Sequence, residues 1–448
     1  MRLKLLTLAL ALTAVSLPSH GEDLLDAYRE ARANDPVLSQ ADAQRLSTSE
    51  NVNQARALLL PQISAGLSLS QTNGGGSSTS ATTTSPQTTT LGSVGHSRTR
   101  DISGQLSQTV FDLSKFADLK AAHSQSSAQD ELYQAALQQL FVRVASAYFN
   151  VLTSQDQLAY AKANEDAYKQ QYEQSDQRFK VGLSAITDVY QAKSYYESAK
   201  AQTIAASNTL DDAREALTQI TGTPVGELKK LRDDLPMDPP SPSDQNTWVQ
   251  EALKNNPNIL SQQYSVEAAE HSISAARDGH LPTISANVRY GKSASWYQNS
   301  DYHSRIPGST TIGLTLTVPL FSGGATQSRV RQSIYQRDAA KDSLESQRRQ
   351  VTRDTLNYYR SVIAGISQVK AAKAAVESGQ KALEATRAGF SVGTKTITDV
   401  LLSIQTLTSS ESQYSQARHQ FILDKLLLKQ STGTASLKDI ESINSLLE

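Results

Sequence analysis

Two stretches of this 448-residue chain are close copies of each other. Residues 178–190 read RFKVGLSAITDVY and residues 389–401 read GFSVGTKTITDVL, 211 positions further on. Phe, Val-Gly, Ile and Thr-Asp-Val recur in register. Each copy lies between two long runs of helical periodicity. The chain therefore reads as two similar halves, each a helical hairpin reversed at a Val-Gly turn.

The rest of each half follows the same order. A short helix over 23–34 stops before Asp35-Pro36, and a longer one over 37–60 ends at Pro61. Residues 62–70 then alternate apolar and small polar side chains, as a strand does. A Gly-, Ser- and Thr-rich loop is expected over 71–100, and a second strand over 101–110. From Leu113 to Phe179 there is neither proline nor glycine, and Leu137, Leu140, Val144, Ala147 and Val151 step by three and four. The return arm runs to Gly222. A Pro-rich linker over 231–243 leads into the replay: Asn256-Pro257 for Asp35-Pro36, a strand over 283–290, a loop over 291–309, a strand over 311–320, then a hairpin over 324–433 and a C-terminal segment. Val362, Val369, Val376, Leu383 and Phe390 fall every seven residues, and so do Val400, Leu407, Tyr414, Phe421 and Leu428. A strict seven-residue period implies left-handed supercoiling. The domains expected are a first repeat over 22–230, the linker, and a second repeat over 244–448.

Residues 1–21 read as a secretory signal peptide: Arg2 and Lys4, an apolar run over 5–17, and small residues before Glu22. The run is too short to span a bilayer. Removing it takes away two of the 43 basic residues and none of the 44 acidic ones, so nothing in the charge favours nucleic acid. The absence of cysteine excludes disulfides, Cys–metal sites and an N-terminal lipidated Cys. Apolar residues make up only 38 %, too few for one large core but enough for long helices with narrow seams.

Length and strand pattern then constrain the assembly. A 67-residue helix is roughly 100 Å long. The return arm and the preceding helix, stacked end to end, come close to that height. Each strand has one apolar face and about the length of an outer-membrane barrel strand. Four strands cannot close a barrel, and open edges are not tolerated in lipid, so a membrane reading requires oligomers: a dimer supplies eight strands, a trimer twelve.

The LLPQI and HLPTI helix-to-strand junctions, VFD and LFSGG at the strand-to-helix junctions, and the twin turns together resemble TolC-type outer-membrane channel proteins, over about 22–437. The resemblance implies a mainly α fold with a β-barrel part: a homotrimer with a 12-stranded barrel in outer-membrane lipid and an α-helical barrel extending through the periplasm. It implies an exit duct for efflux and type I secretion, working with a periplasmic adaptor and an inner-membrane pump or ABC exporter. The alternative weighed beside it is a trimeric coiled-coil adhesin with a barrel anchor.

No enzyme is expected, and no cofactor or metal. The seven His residues are scattered, and Gly74-Gly-Gly-Ser-Ser lacks the Lys-Ser/Thr helix start of a phosphate loop. The candidate functional residues lie at the turns. By resemblance, Thr187, Asp188, Phe390 and Lys395 match a network that holds the periplasmic end closed. The family's tyrosine is Phe390 here and its arginine is Lys395, so closure is either looser or rests more on Lys395–Asp188. Asp399 matches a constriction aspartate that forms an acidic ring under threefold symmetry. A second aspartate of the TolC type, one turn on, is Leu402 here. Val181, Gly182 and Leu183, with Val392, Gly393 and Thr394, match the tips where adaptor hairpins dock.

Overall fold

A computed structural model describes residues 22–73, 97–297 and 303–448. The expected signal peptide, the Gly74 run and the centres of the two expected loops lie outside the described residues. The elements are α1 (Leu24–Asn34), α2 (Pro36–Ala57), β1 (Gln62–Thr72), β2 (Ser97–Phe111), α3 (Leu113–Lys180), α4 (Ile186–Thr221), α5 (Gln245–Asn255), α6 (Pro257–Asp278), β3 (Thr283–Tyr297), β4 (His303–Thr317), α7 (Ala325–Ser391), α8 (Ile397–Ser431) and α9 (Leu437–Asn444). Pro36 and Pro257 each open a helix at its first position, where the missing N–H has no intrahelical partner to lose.

Three strands are longer or placed differently than the sequence pattern suggests. β2 begins at Ser97, β3 continues to Tyr297 and β4 begins at His303, so parts of the expected loops at 71–100 and 291–309 are paired strand. Their Ser, Thr and Gly content is that of a polar sheet face, which composition alone reads as loop. β4 ends at Thr317, short of the expected 320, because Pro319 has no N–H to give a ladder.

The chain packs as two compact units that do not follow the sequence halves. One gathers the described residues up to Ala43 with Glu131–Leu260 and Ser346–Glu448; the other gathers Gln44–Asp130 and Ser261–Glu345. Each draws on both repeats.

The second unit holds the sheet, antiparallel throughout, in the order β1-β2-β3-β4. Ile63, Leu106, Val288 and Ile312 stand directly opposite one another across all four strands. Ser64, Gln105, Arg289 and Thr311 make the next row, on the other face. The sheet is therefore apolar on one side and polar on the other, and its apolar side is bare: Ile63 and Ile312 are each 78 % exposed, and Leu67, Leu69, Leu314 and Leu316 are exposed with them. On the polar side Arg289 Nη2 donates to Gln105 Oε1 (3.1 Å) and Ser68 Oγ to Asp101 Oδ2 (3.3 Å).

The first unit has a buried core. Leu140, Val144, Tyr148, Phe149 and Val151 of α3 meet Leu24 and Tyr28 of α1, Leu217 of α4, Val362 and Val369 of α7, Phe421 and Leu426 of α8, and Ile440 of α9. At Gly365 of α7 an added Cβ would sit 3.1 Å from the Phe421 ring, so the absence of a side chain lets α7 and α8 approach. The 231–243 stretch is not loose: Leu231 and Leu235 are buried and Arg232 N–H donates to the Leu446 carbonyl (2.9 Å).

The α1–α2 corner shows how the repeats diverged. Asp35 accepts the Leu38 N–H (2.8 Å) and two hydrogen bonds from Arg143, at 3.2 and 2.5 Å. Asn256, its counterpart, accepts the Asn258 N–H (3.0 Å) and donates to the Ser431 carbonyl (2.8 Å). Burial pushes the Asp35 carboxyl up, but Arg143 and the Leu38 and Val37 N–H groups outweigh it and hold it below the usual carboxylate range. Breaking such a pair leaves a buried charge unmatched, and Asp35→Ala is expected to cost about 3 kcal/mol, read as a lower guanidinium midpoint by circular dichroism. Because the folded-state value is depressed, this stabilisation is complete above the unfolded value of about 3.9 and is lost as pH falls through the folded one. The variant should therefore lose less stability than the wild type over that acid range.

Candidate functional site at the hairpin tips

Both turns close in the same way. Gly182 and Gly393 take the left-handed conformation, at φ 77° and 80°. The Gly182 N–H donates to the Phe179 carbonyl (2.9 Å) and Leu183 N–H to Arg178 (2.8 Å); Gly393 donates to Phe390 (3.2 Å) and Thr394 to Gly389 (2.9 Å). This is the Schellman pattern, and it needs a residue that tolerates positive φ at the Gly position. Val181, Leu183 and Val392 project from the turns exposed.

The helices that leave the turns start differently. Thr396 caps α8: its Oγ1 accepts the Asp399 N–H (3.2 Å), and Asp399 Oδ2 accepts both the Thr396 N–H and its hydroxyl, each at 2.9 Å. The first copy has Ala185 at the cap, which offers no side-chain acceptor. Asp188, in the place of Asp399, accepts instead from Ser184 Oγ (2.8 Å). The Thr396 backbone N–H and hydroxyl, with Lys395 nearby, hold the Asp399 carboxyl below its ordinary range, so it is ionised at neutral pH. Among the described residues Lys395 forms no ion pair, and within the chain Asp188 is engaged by Ser184. Thr187 and Thr394 are exposed beside them.

The two hairpins meet above the turns. Tyr168 of α3, Ala199 of α4, Leu383 of α7 and Ile397, Val400, Leu401 and Ile404 of α8 are buried together, with Phe390 packed against them. The Tyr168 hydroxyl donates to the Leu401 carbonyl (3.2 Å), and Gln191 Nε2 donates to Thr398 Oγ1 (3.2 Å). The Arg178 guanidinium lies over the Phe390 ring, 4.9 Å from its centre. Gln171 and Ser175, on the same seam of α3, are buried, and among the described residues Gln171 Nε2 and Ser175 Oγ find no hydrogen-bond partner.

Phe390 lies in the seam between the hairpins, and its cationic partner is Arg178, which is not a member of the expected network. Arg178 is the first letter of the first copy, and Gly389 stands at that letter in the second. This charge difference is a signal in the repeat itself. Gln191 and Tyr168 carry no comparable mark.

The family profile for "Outer membrane efflux protein" matches residues 27–223 and 248–434. The chain belongs to the outer membrane efflux protein family. Outer membrane protein TolC of Escherichia coli is 34 % identical over 449 residues, covering 98 % of this chain and 88 % of that protein. The alkaline protease secretion protein AprF of Pseudomonas aeruginosa is 28 % identical and covers 94 % and 86 %. The solved structure of the outer membrane protein VceC of Vibrio cholerae superposes with a TM-score of 0.73 at 18 % identity, over 92 % of this chain and 96 % of that one. The expected resemblance, the helical fold with its sheet, and the outer-membrane location are borne out by this membership. Among the described residues no helix is long and apolar enough to cross a membrane, and no group of three or more His, Asp or Glu is set to hold a metal ion.

A cation over a half-exposed ring contributes about 0.5–1 kcal/mol. Arg178→Gln is expected to speed amide hydrogen exchange over residues 389–396 by roughly two- to fivefold, with the sheet amides unaffected. Unchanged rates there would remove Arg178 from the tip.

Proposed function

We propose that three copies of the chain form a passive exit duct in the outer membrane for efflux and type I secretion, energised by an inner-membrane pump or ABC exporter through a periplasmic adaptor. The bare apolar face of a sheet with two open edges carries this reading. Such a face stabilises the protein only against lipid, and in lipid the outer ladders of β1 and β4 need strands from other copies. Four strands from each of three copies give twelve.

The relatives support the cargo classes. AprF is a secretion protein by name, and the protein CzcC of Cupriavidus metallidurans is a cobalt-zinc-cadmium resistance protein. No catalytic constellation is assigned, and the energy of transport comes from the partners. An adhesin would carry its barrel strands together at the C-terminus, whereas these lie in two internal pairs.

The tips are the gate in this reading. Val181, Gly182 and Leu183 with Val392, Gly393 and Thr394 receive the adaptor. Thr187, Asp188, Phe390 and Lys395 hold the closed state, with Lys395 free to reach an acidic group on a neighbouring copy. A single exposed ion pair is worth only about 0–1 kcal/mol, so closure is shared among contacts. Asp399 contributes one acidic ring.

Two measurements test the gate. The Asp188→Ala, Lys395→Ala double variant is expected to raise single-channel conductance in planar bilayers, and wild-type conductance would take both residues out of it. Asp399→Ala is expected to lower cation selectivity and block by trivalent cations. Thr396→Ala, which removes the cap at about 1 kcal/mol but keeps the carboxylate, should leave the reversal potential unchanged. Equal shifts in both variants would trace the effect to the helix start and reject the ring. Gene deletion, with profiling of lost secreted proteins and lost drug tolerance, would assign the cargo.

A further inference from the structure

The strand register places an unbalanced set of cations on the apolar face of the sheet. Leu69, Arg100, Ala294 and Arg305 stand opposite one another across the four strands. The next row outward is Gln71, Arg98 and Trp296; the next row inward is Leu67, Ile102 and Lys292. Arg98, Arg100, Lys292 and Arg305 therefore share the face of Ile63, Leu67 and Leu106. They crowd the end of the strands remote from the junctions with α2, α3, α6 and α7. All four are exposed, and among the described residues none forms an ion pair. Asp101, the one acidic residue of the four strands, points to the polar face, where Ser68 engages it.

Two contacts hold the cations along the face. The Arg100 guanidinium lies 5.8 Å from the centre of the Trp296 ring, and Arg98 Nε donates to Gln71 Oε1 (3.1 Å). An exposed apolar stripe that ends in an aromatic ring and a cation cluster is the profile of a barrel wall passing from hydrocarbon into the headgroup layer. Cations on that wall are costly at the bilayer midplane and tolerated at its rim. Four of them with no acid beside them among the described residues of this face set a phosphate-binding field directly above a surface that accepts acyl chains.

We propose that this face binds a phosphorylated, acylated glycolipid of the outer leaflet: lipid A, with its phosphates on Arg98, Arg100, Lys292 and Arg305 and its chains along Leu67, Leu69 and Ile102. This rests on the reading of the bare face as the lipid-facing wall. Each cation at the membrane surface multiplies affinity several-fold. The Arg98→Gln, Arg100→Gln, Lys292→Gln, Arg305→Gln variant should therefore bind lipid A at least roughly tenfold more weakly.

The test is titration of the detergent-purified full-length oligomer with bisphosphorylated lipid A, read by native mass spectrometry, beside lipid A stripped of both phosphates and inorganic phosphate as competitor. Expected are tight binding of the first, at least roughly tenfold weaker binding of the second, and no displacement by millimolar phosphate. Equal binding of stripped lipid A, or wild-type affinity in the variant, would overturn the site. Displacement by inorganic phosphate would make it a free-anion site and overturn the lipid assignment. Should the fourfold variant fail to assemble, the pairs Arg98→Gln, Arg100→Gln and Lys292→Gln, Arg305→Gln are titrated in its place. Weakened binding in either pair supports the site, and wild-type affinity in both overturns it. Conductance in planar bilayers separates the two readings: a conducting variant with undiminished lipid A binding refutes this site alone, whereas a non-conducting wild type refutes the channel.

Discussion

A strand at the edge of a sheet has N–H and C=O groups that must be paired, and lipid supplies no partner for them. That requirement governs the part of this protein built from β1 to β4. The ladder runs between β1 and β2, β2 and β3, and β3 and β4, interrupted by irregularities at Thr109–Phe111 and Gly291–Ser293, and among the described residues it stops at β1 and β4. In the apolar row Ile63, Leu106, Val288 and Ile312 the outer two are each 78 % exposed and the inner two half-buried, so among the described residues this face is left largely uncovered. Water would penalise that face and lipid would penalise the edges, so a closed ring of copies is the arrangement that relieves both. The polar row beneath, with Arg289 bonded to Gln105, suits a water-filled interior.

The unit that holds the tips solves a different problem. Its helices are too polar to form a broad core, and burial is concentrated in seams. Around Tyr148, Phe149 and Phe421 the seam is well filled, and backbone carbonyls satisfy the Tyr148 hydroxyl at 3.1 and 2.9 Å. Toward the turns it becomes mixed: among the described residues Gln171 Nε2 and Ser175 Oγ are buried without a hydrogen-bond partner, while Tyr168 and Gln191 bond to α8 and Arg178 lies over a ring of α7. Unsatisfied buried polar atoms weaken packing. A tip held by several small contacts beside a firm core has graded stability, and it opens locally at lower cost than the core does.

Duplication followed by divergence explains why the two tips are not equivalent. Thr396 against Ala185 decides whether the third residue of the helix caps it, and so whether Asp399 and Asp188 use their carboxylates alike. Asn256 against Asp35 exchanges a bond to a carbonyl for a charged pair with Arg143. In each case the backbone path is kept while one side chain changes partners. Arg178 against Gly389 is a further case, since only the first copy supplies a guanidinium, and it lies over the Phe390 ring of the second.

Much of this was legible in the sequence. Proline and glycine mark where helices start and reverse, seven-residue spacing marks the seams, and the twin motif locates the turns, because these depend on local backbone chemistry and on periodicity. Strand extent was not legible. Ser-, Thr- and Gly-rich segments pair as readily as they loop, and the ladder itself decides which they do. The partners of the tip residues were also hidden. Asp188 turns to Ser184, and Phe390 to the distant Arg178, because helix packing sets which side chains meet. The sequence by itself determined the repeat, the helices and the alternation of the strands, all of which are set within a few residues. Only the tertiary structure decided the register that lines up Arg100 with Arg305 and the contacts that join the hairpins, since both depend on which distant backbones lie side by side.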